Sequence, residues 1–231
     1  MIVDKAPLVK ILKFAALASD YATLTVEHLG SYNIVATAIH YDRTYFHRAK
    51  TLVSTTEDPS DFKAQINIPD VLKSLKILHS PVTIDLEDSK LVLADDFLTF
   101  RLVTYDYGED PKLFQPQEDG VMRFHPVDFS ELSMFLRLAS KVSDFTKVKI
   151  TEPAEMYSGF AGDEVRLRVQ DYTGEARATY NSNILAQLAQ FVKGANNAFF
   201  HVQDDGPLRV EIEYMDSTHL EAQLANVEAG E

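Results

Sequence analysis

The sequence predicts an α+β protein of two similar domains, each with two helices packed on antiparallel sheet. Three observations carry that prediction. The chain has 231 residues, enough for two domains of about 115. The same order of helix-like and strand-like runs occurs twice. A polar stretch with prolines, glycines and acids, residues 107–120, separates the two occurrences. We therefore expect domains at 1–106 and 121–231, joined by a connecting loop at 107–120.

The first half opens with KAPLVKILKFAALASD, residues 5–20. Leu8, Leu12, Ala15 and Ala16 recur near helical spacing, and Pro7 suits a first turn. Strand-like runs follow: YATLTVEHL, YNIVATAIHY, TYFHRAKTLV and FKAQINI, with Gly30 and Ser31 between the first two. Pro69 and Asp70 open a short helix, PDVLKSLKIL, and Pro81 closes it. VTIDLED, KLVLADD and FLTFRLVTYD read as three more strands.

The second half repeats the plan. VMRFH is a strand and PVDFSELSMFLRLASKV a helix. KVKITE, EMYSGF, EVRLRVQD and EARATY are strands, and NILAQLAQFVKG is the short helix. AFFHVQ, PLRVEIEYM and HLEAQLA complete the sheet. The short helices share a pattern, Val71-Leu72-x-x-Leu75 against Ile184-Leu185-x-x-Leu188. A repeat of over about 100 residues is too long for a solenoid unit.

Composition narrows the function classes. No run approaches the roughly 18 apolar residues of a membrane helix, and the N-terminal MIVDKAPLVKILKF does not read as a signal peptide. There are no cysteines, which excludes disulfides and thiolate zinc sites and favours a cytoplasmic setting. His40, Asp42 and His47 lie close together, but on strand and turn rather than as a helical metal-binding pair. Gly159 and Gly162 in GFAGDE lack the Lys-Ser/Thr of a phosphate loop, and Ser158-Gly159 makes no nucleophile elbow. We expect no enzyme activity, no cofactor and no metal.

The net charge is −13, a sign that argues against nucleic-acid binding when taken as an average. The distribution is uneven. The expected helical segments 5–20, 70–78, 126–142 and 182–194 hold eight bases and four acids, while the remainder holds 14 and 31. Bases at 10/13, 73/76 and 137/141 each share a helix face. On one helix this is an ordinary solvated face. Its recurrence on several helices of an acidic chain is harder to assign to solvation alone.

The half-repeat resembles the plan of the archaeal and eukaryotic sliding clamps, the proliferating-cell-nuclear-antigen (PCNA) family. The resemblance is most specific in PLRVEIEYMDSTHLEAQLANVE, residues 207–228, through Pro207-Leu208-Arg209-Val210-Glu211, Thr218-His219-Leu220 and Leu224-Ala225. It extends to INIPDVLKSLKIL, residues 66–78, and IVATAIHYDRTYFH, residues 34–47. Two departures stand out: Asn226 replaces the family's tail proline and Gln223 its preceding aromatic residue.

The resemblance implies clamp domains that form a ring by trimerisation around duplex DNA. It places Lys10, Lys13, Lys73, Lys76, Arg137, Lys141 and Lys193 at the central hole, against phosphates and without base reading. It implies an apolar pocket for a short partner-protein motif, lined by Ile39, Phe46, Phe114, Pro116, Pro207, Leu224 and Ala225. It implies subunit edges at 97–105 and 164–170, with Phe100, Leu102, Val165, Leu167 and Val169 in contact. Expected partners are duplex DNA, a DNA polymerase, a clamp loader, other proteins with PCNA-interacting peptides, and further copies of the chain, but no membrane. A heterotrimeric or checkpoint-type clamp uses the same fold, and a monomeric acidic interaction protein or hydrolase is the alternative from another class.

Overall fold

The computed structural model describes residues 1–28, 30–42, 44–55, 59, 62–105 and 118–227. The chain divides into two compact units, Met1–Lys112 with Asp216–Leu220, and Leu113–Met215 with Glu221–Glu231.

The first unit contains β1 (Ile2–Val3), α1 (Lys5–Ala15), β2 (Tyr21–His28), β3 (Tyr32–Ile39), β4 (Tyr45–Leu52) and β5 (Lys63–Asn67), then α2 (Ile68–Ile77), β6 (Val82–Glu87), β7 (Lys90–Ala94) and β8 (Thr99–Val103). The strands run β5-β2-β3-β4 and β1-β6-β7-β8, and each neighbouring pair is antiparallel. Leu8, Ile11, Leu12, Phe14 and Ala15 of α1 are buried, and the helix packs on β3 and β4.

The second unit contains β9 (Gly120–Phe124), α3 (Phe129–Val142), β10 (Phe145–Ile150), β11 (Ala154–Phe160), β12 (Asp163–Val169), β13 (Asp171–Gly174) and β14 (Ala176–Asn181), then α4 (Ser182–Val192), β15 (Asn197–Val202), β16 (Leu208–Glu213) and, from Glu221 onward, β17 (His219–Leu224). Its strands run β12-β11-β10-β14 and β13-β9-β15-β16-β17. The unit thus repeats the first one's plan of a long helix, strands, a short helix and strands.

The expected helix at 5–20 ends at Ala15. Leu17 and Ala18 turn back to Phe14 and Ala15 through i−3 bonds, the tighter winding that closes many helices. The buried His47 of β4 also donates from Nδ1 to the Phe14 carbonyl at 2.9 Å. The expected helix at 126–142 begins at Phe129, because Asp128 and His125 first close a turn through paired hydrogen bonds. β1 and β13 are too short to show periodicity, and the sequence does not predict them. At Gly174, with φ +76°, a Cβ would lie 2.0 Å from the Asp119 carbonyl, so β13 can sit this close only with glycine there.

The shared short-helix pattern is real but shifted by one residue from the expected alignment. Asn67 and Asn181 both cap their helices, accepting from Asp70 N and from Asn183 and Ile184 N respectively. Counted from those caps, Val71 matches Leu185, Ser74 matches Leu188, and Leu75 matches Ala189, and all six are buried.

Candidate nucleic-acid and partner interfaces

The helices position the expected cations. In the first unit α1 and α2 pack together, and Lys5 ties α1 to the end of α2 by donating from Nζ to Leu78 O at 2.5 Å. The same two helices carry Lys10, Lys13, Lys73 and Lys76. Lys13 and Lys76 are exposed and make no ion pair with another described residue. Lys73 pairs with Asp70 one turn earlier at 3.2 Å, and half-buried Lys10 with Asp216 at 3.0 Å. Burial alone would raise the Asp216 carboxyl, but hydrogen bonds from Thr218 and Lys10 hold it below the usual carboxylate range.

In the second unit α3 buries Phe129, Leu132, Phe135, Leu136 and Ala139. Arg137 and Lys141 stand exposed one turn apart, beside the exposed Met134 and Leu138. Ser158 on β11 donates to the Ala139 carbonyl at 3.0 Å, and Ser133 to Ala189 on α4. The helix α4 has no charged residue within Ser182–Val192, and Lys193 lies at its C-cap rather than inside it.

The expected partner pocket divides between the units. Ile39 and Phe46 are register partners across β3 and β4. Ile39 is half-buried, whereas Phe46 is buried. In the second unit Pro207 is half-buried, Leu224 buried and Ala225 exposed. Phe114 and Pro116 lie outside the described residues. The tail residue Asn226 fastens the chain end to its own unit. Its Oδ1 accepts from Thr179 N at 2.9 Å and its Nδ2 donates to Asp205 O at 3.0 Å. Gln223 is buried, with Nε2 donating to Glu221 at 2.8 Å.

The expected subunit edges, β8 and β12, are each the terminal strand of a sheet. On β8, Phe100 and Leu102 are half-buried, while Val103 is 64% exposed. Beside it a hollow of about 270 Å³ opens among Ile66, Val71, Leu102, Val103 and Tyr105. On β12, Leu167 and Val169 are buried and Val165 half-buried. Phe97, just before β8, is 81% exposed, and Phe160, which ends β11 at the turn into β12, is 72% exposed.

The catalytic and metal candidates separate. His40 Nδ1 lies 2.5 Å from Asp42, which also accepts from Thr44 N and Oγ1. Thr44 and His40 together hold the Asp42 carboxyl at about 2. His47 is fully buried beneath α1 with its ring stacked on Phe14 at 4.6 Å. Among the described residues no acid, His or Cys cluster could hold a metal ion, and no helix is long and apolar enough to cross a membrane.

No family model matches the chain, and no curated protein matches it in sequence. Solved structures do match it in fold. The structure of the C-terminal region of FEN-1 bound to A. fulgidus PCNA is 13% identical. It aligns over 100% of this chain and 98% of that one, with a TM-score of 0.86. Proliferating cellular nuclear antigen from Entamoeba histolytica is 14% identical over 97% and 96%, with a TM-score of 0.80. The fold is therefore PCNA-like from end to end.

Proposed function

We propose that the chain is a subunit of a DNA sliding clamp, which encircles duplex DNA as a homotrimer, tethers replication and repair proteins, and catalyses no reaction. The observation that carries this reading is the end-to-end likeness to PCNA, with neither chain left with an unmatched domain. The cations on α1, α2 and α3 support a phosphate-facing helix surface, since flexible bases on a smooth face hold DNA without reading it. Two terminal strands with exposed apolar flanks support edge-to-edge assembly, because unpaired edges invite pairing. The pairing of β8 with β12 is heterologous and must close by rotation.

The A. fulgidus structure carries the C-terminal region of FEN-1. By that analogy we propose that this chain takes peptides from polymerase, clamp loader and repair proteins over Ile39, Phe46, Phe114, Pro116, Pro207, Leu224 and Ala225. The first test is molecular mass by light scattering across a concentration series. The proposal expects a species of three times 26.0 kDa at high concentration. A chain that stays at 26.0 kDa at high concentration overturns it.

A further inference from the structure

The bases outside the helices are not spread evenly through their acidic surroundings. Five of them collect on one face of the β12-β11-β10-β14 sheet. Side chains in these strands alternate between a buried face and a solvent face. The buried face holds Val148, Met156, Leu167 and Ala178, and α3 packs on this sheet. On the other face the register aligns the side chains in rows. Arg166, Tyr157, Lys147 and Thr179 lie abreast across the four strands, and Arg168, Glu155, Lys149 and Arg177 form the next row. Strand spacing of about 4.8 Å and a same-face repeat of about 6.8 Å make this a field of roughly 14 by 7 Å.

The chemistry of the field is cationic. Lys147, Arg168 and Arg177 are exposed and Lys149 half-buried, and none of the four makes an ion pair with another described residue. Arg166 is held by Glu155 and Glu164, at 3.4 and 3.1 Å. Arg166 and Lys147 lie over the Tyr157 ring, 5.2 and 5.7 Å from its centroid. Phe145, 41% exposed, ends the face on β10. Glu155 and Glu164 are the acids within it, and Asp204 stands at the margin, accepting from the Arg177 backbone N–H.

We propose that this face is a second nucleic-acid contact, binding the phosphates of single-stranded or duplex DNA without regard to sequence. It lies on the side of the sheet away from α3 and does not depend on ring closure. Nucleic acid suits it better than an acidic protein. A protein partner needs an apolar anchor seated in a hollow, whereas here Tyr157 is covered by cations and the hollow beside β8 is elsewhere. A polyanion needs spaced cations, which the field supplies at Lys147, Lys149, Arg168 and Arg177.

The test is anisotropy with short linear oligonucleotides, single-stranded and duplex, titrated in salt. Such DNA cannot be retained by encirclement. K147E/R168E is compared with K90E/R123E, an equal charge change at exposed positions elsewhere, and thermal melts confirm that both fold. K147E/R168E should weaken binding at least about tenfold and flatten the log–log salt slope by about 1.5. K90E/R123E should cost under about threefold. If the reversed pair does not fold, K147Q/R168Q should show the same ranking with a smaller loss. Equal losses in both pairs, or no binding by the wild type at low salt, overturn the proposal. So does competition by poly-glutamate as effective as that by DNA of equal charge.

Discussion

The Lys10 ammonium lies 3.0 Å from the Asp216 carboxylate, so a cation expected to face DNA is already matched by an acid of its own unit. Both groups are partly exposed, and exposed pairs of this kind contribute about 0–1 kcal/mol. The pair therefore costs little to break and acts mainly on the local field. D216N should leave the melting temperature nearly unchanged and raise DNA affinity several-fold at low salt. The salt slope should steepen by about 0.9, one additional phosphate contact. An unchanged slope would mean that Lys10 does not meet phosphate.

The proposed assembly pairs the terminal strands β8 and β12 of neighbouring copies. Leu102 borders the hollow beside β8, and Leu167 lies on the apolar side of β12. V103E places a charge at an already exposed edge position, so folding should survive while edge pairing is lost. Light scattering should then give monomer at concentrations where the wild type is trimeric. A trimeric V103E would place the interface elsewhere.

Partner peptides offer a third test. A peptide with a glutamine and two aromatic residues should bind over Ile39, Phe46, Phe114, Pro207 and Leu224. F114A should weaken it by about 2 kcal/mol, the scale of an aromatic anchor. Calorimetric titration that finds no binding, or binding indifferent to Phe114, removes the pocket assignment.

His47 sets an acid limit on the first unit. Burial pushes its imidazole down to about 4, against the smaller opposing effect of its bond to Phe14. An unfolded histidine titrates near about 6.5. Protons therefore favour the unfolded chain between these values. The stability due to neutral His47 is complete above about pH 6.5 and is lost as pH falls toward 4, up to about 3 kcal/mol. H47L should be less stable at neutral pH, because Phe14 O keeps its bond from Leu17 N but loses the one from His47, yet less sensitive to acid. Melting curves from pH 7 to 4 that fall in parallel for both proteins would exclude His47 as the titrating group.

Much of the fold is legible in the sequence because its signals are local. Strict alternation marks β10 and β14, and helical spacing marks α1 and α3. Two helix ends are not legible: α1 stops at Ala15, beside the Phe14 carbonyl that His47 reaches across 33 residues, and α3 starts only at Phe129, after the His125–Asp128 turn. The helix cations show in the sequence as bases three or four apart. The basic sheet face does not, because its members come from four strands and alternate with acids and buried residues along the chain. Counted by segment, charge puts everything outside the helices on the acidic side. Only the register of β10, β11, β12 and β14 gathers Lys147, Lys149, Arg166, Arg168 and Arg177 together. Nor does the sequence reveal Asn226 as a tie between the tail and β14.

Topological retention on DNA tests the sliding-clamp proposal most directly. The chain has no cysteine, so V103C/E164C introduces one thiol on each terminal strand and no others. A bismaleimide added at high protein concentration, with nicked circular DNA present, should link these positions between copies and close covalent trimers. A clamp predicts that cross-linked trimer stays with the circle through high salt and denaturant, and is released when a restriction enzyme linearises the DNA. Cross-linked trimer that washes off the circle in high salt, or that stays bound after linearisation, would contradict encirclement.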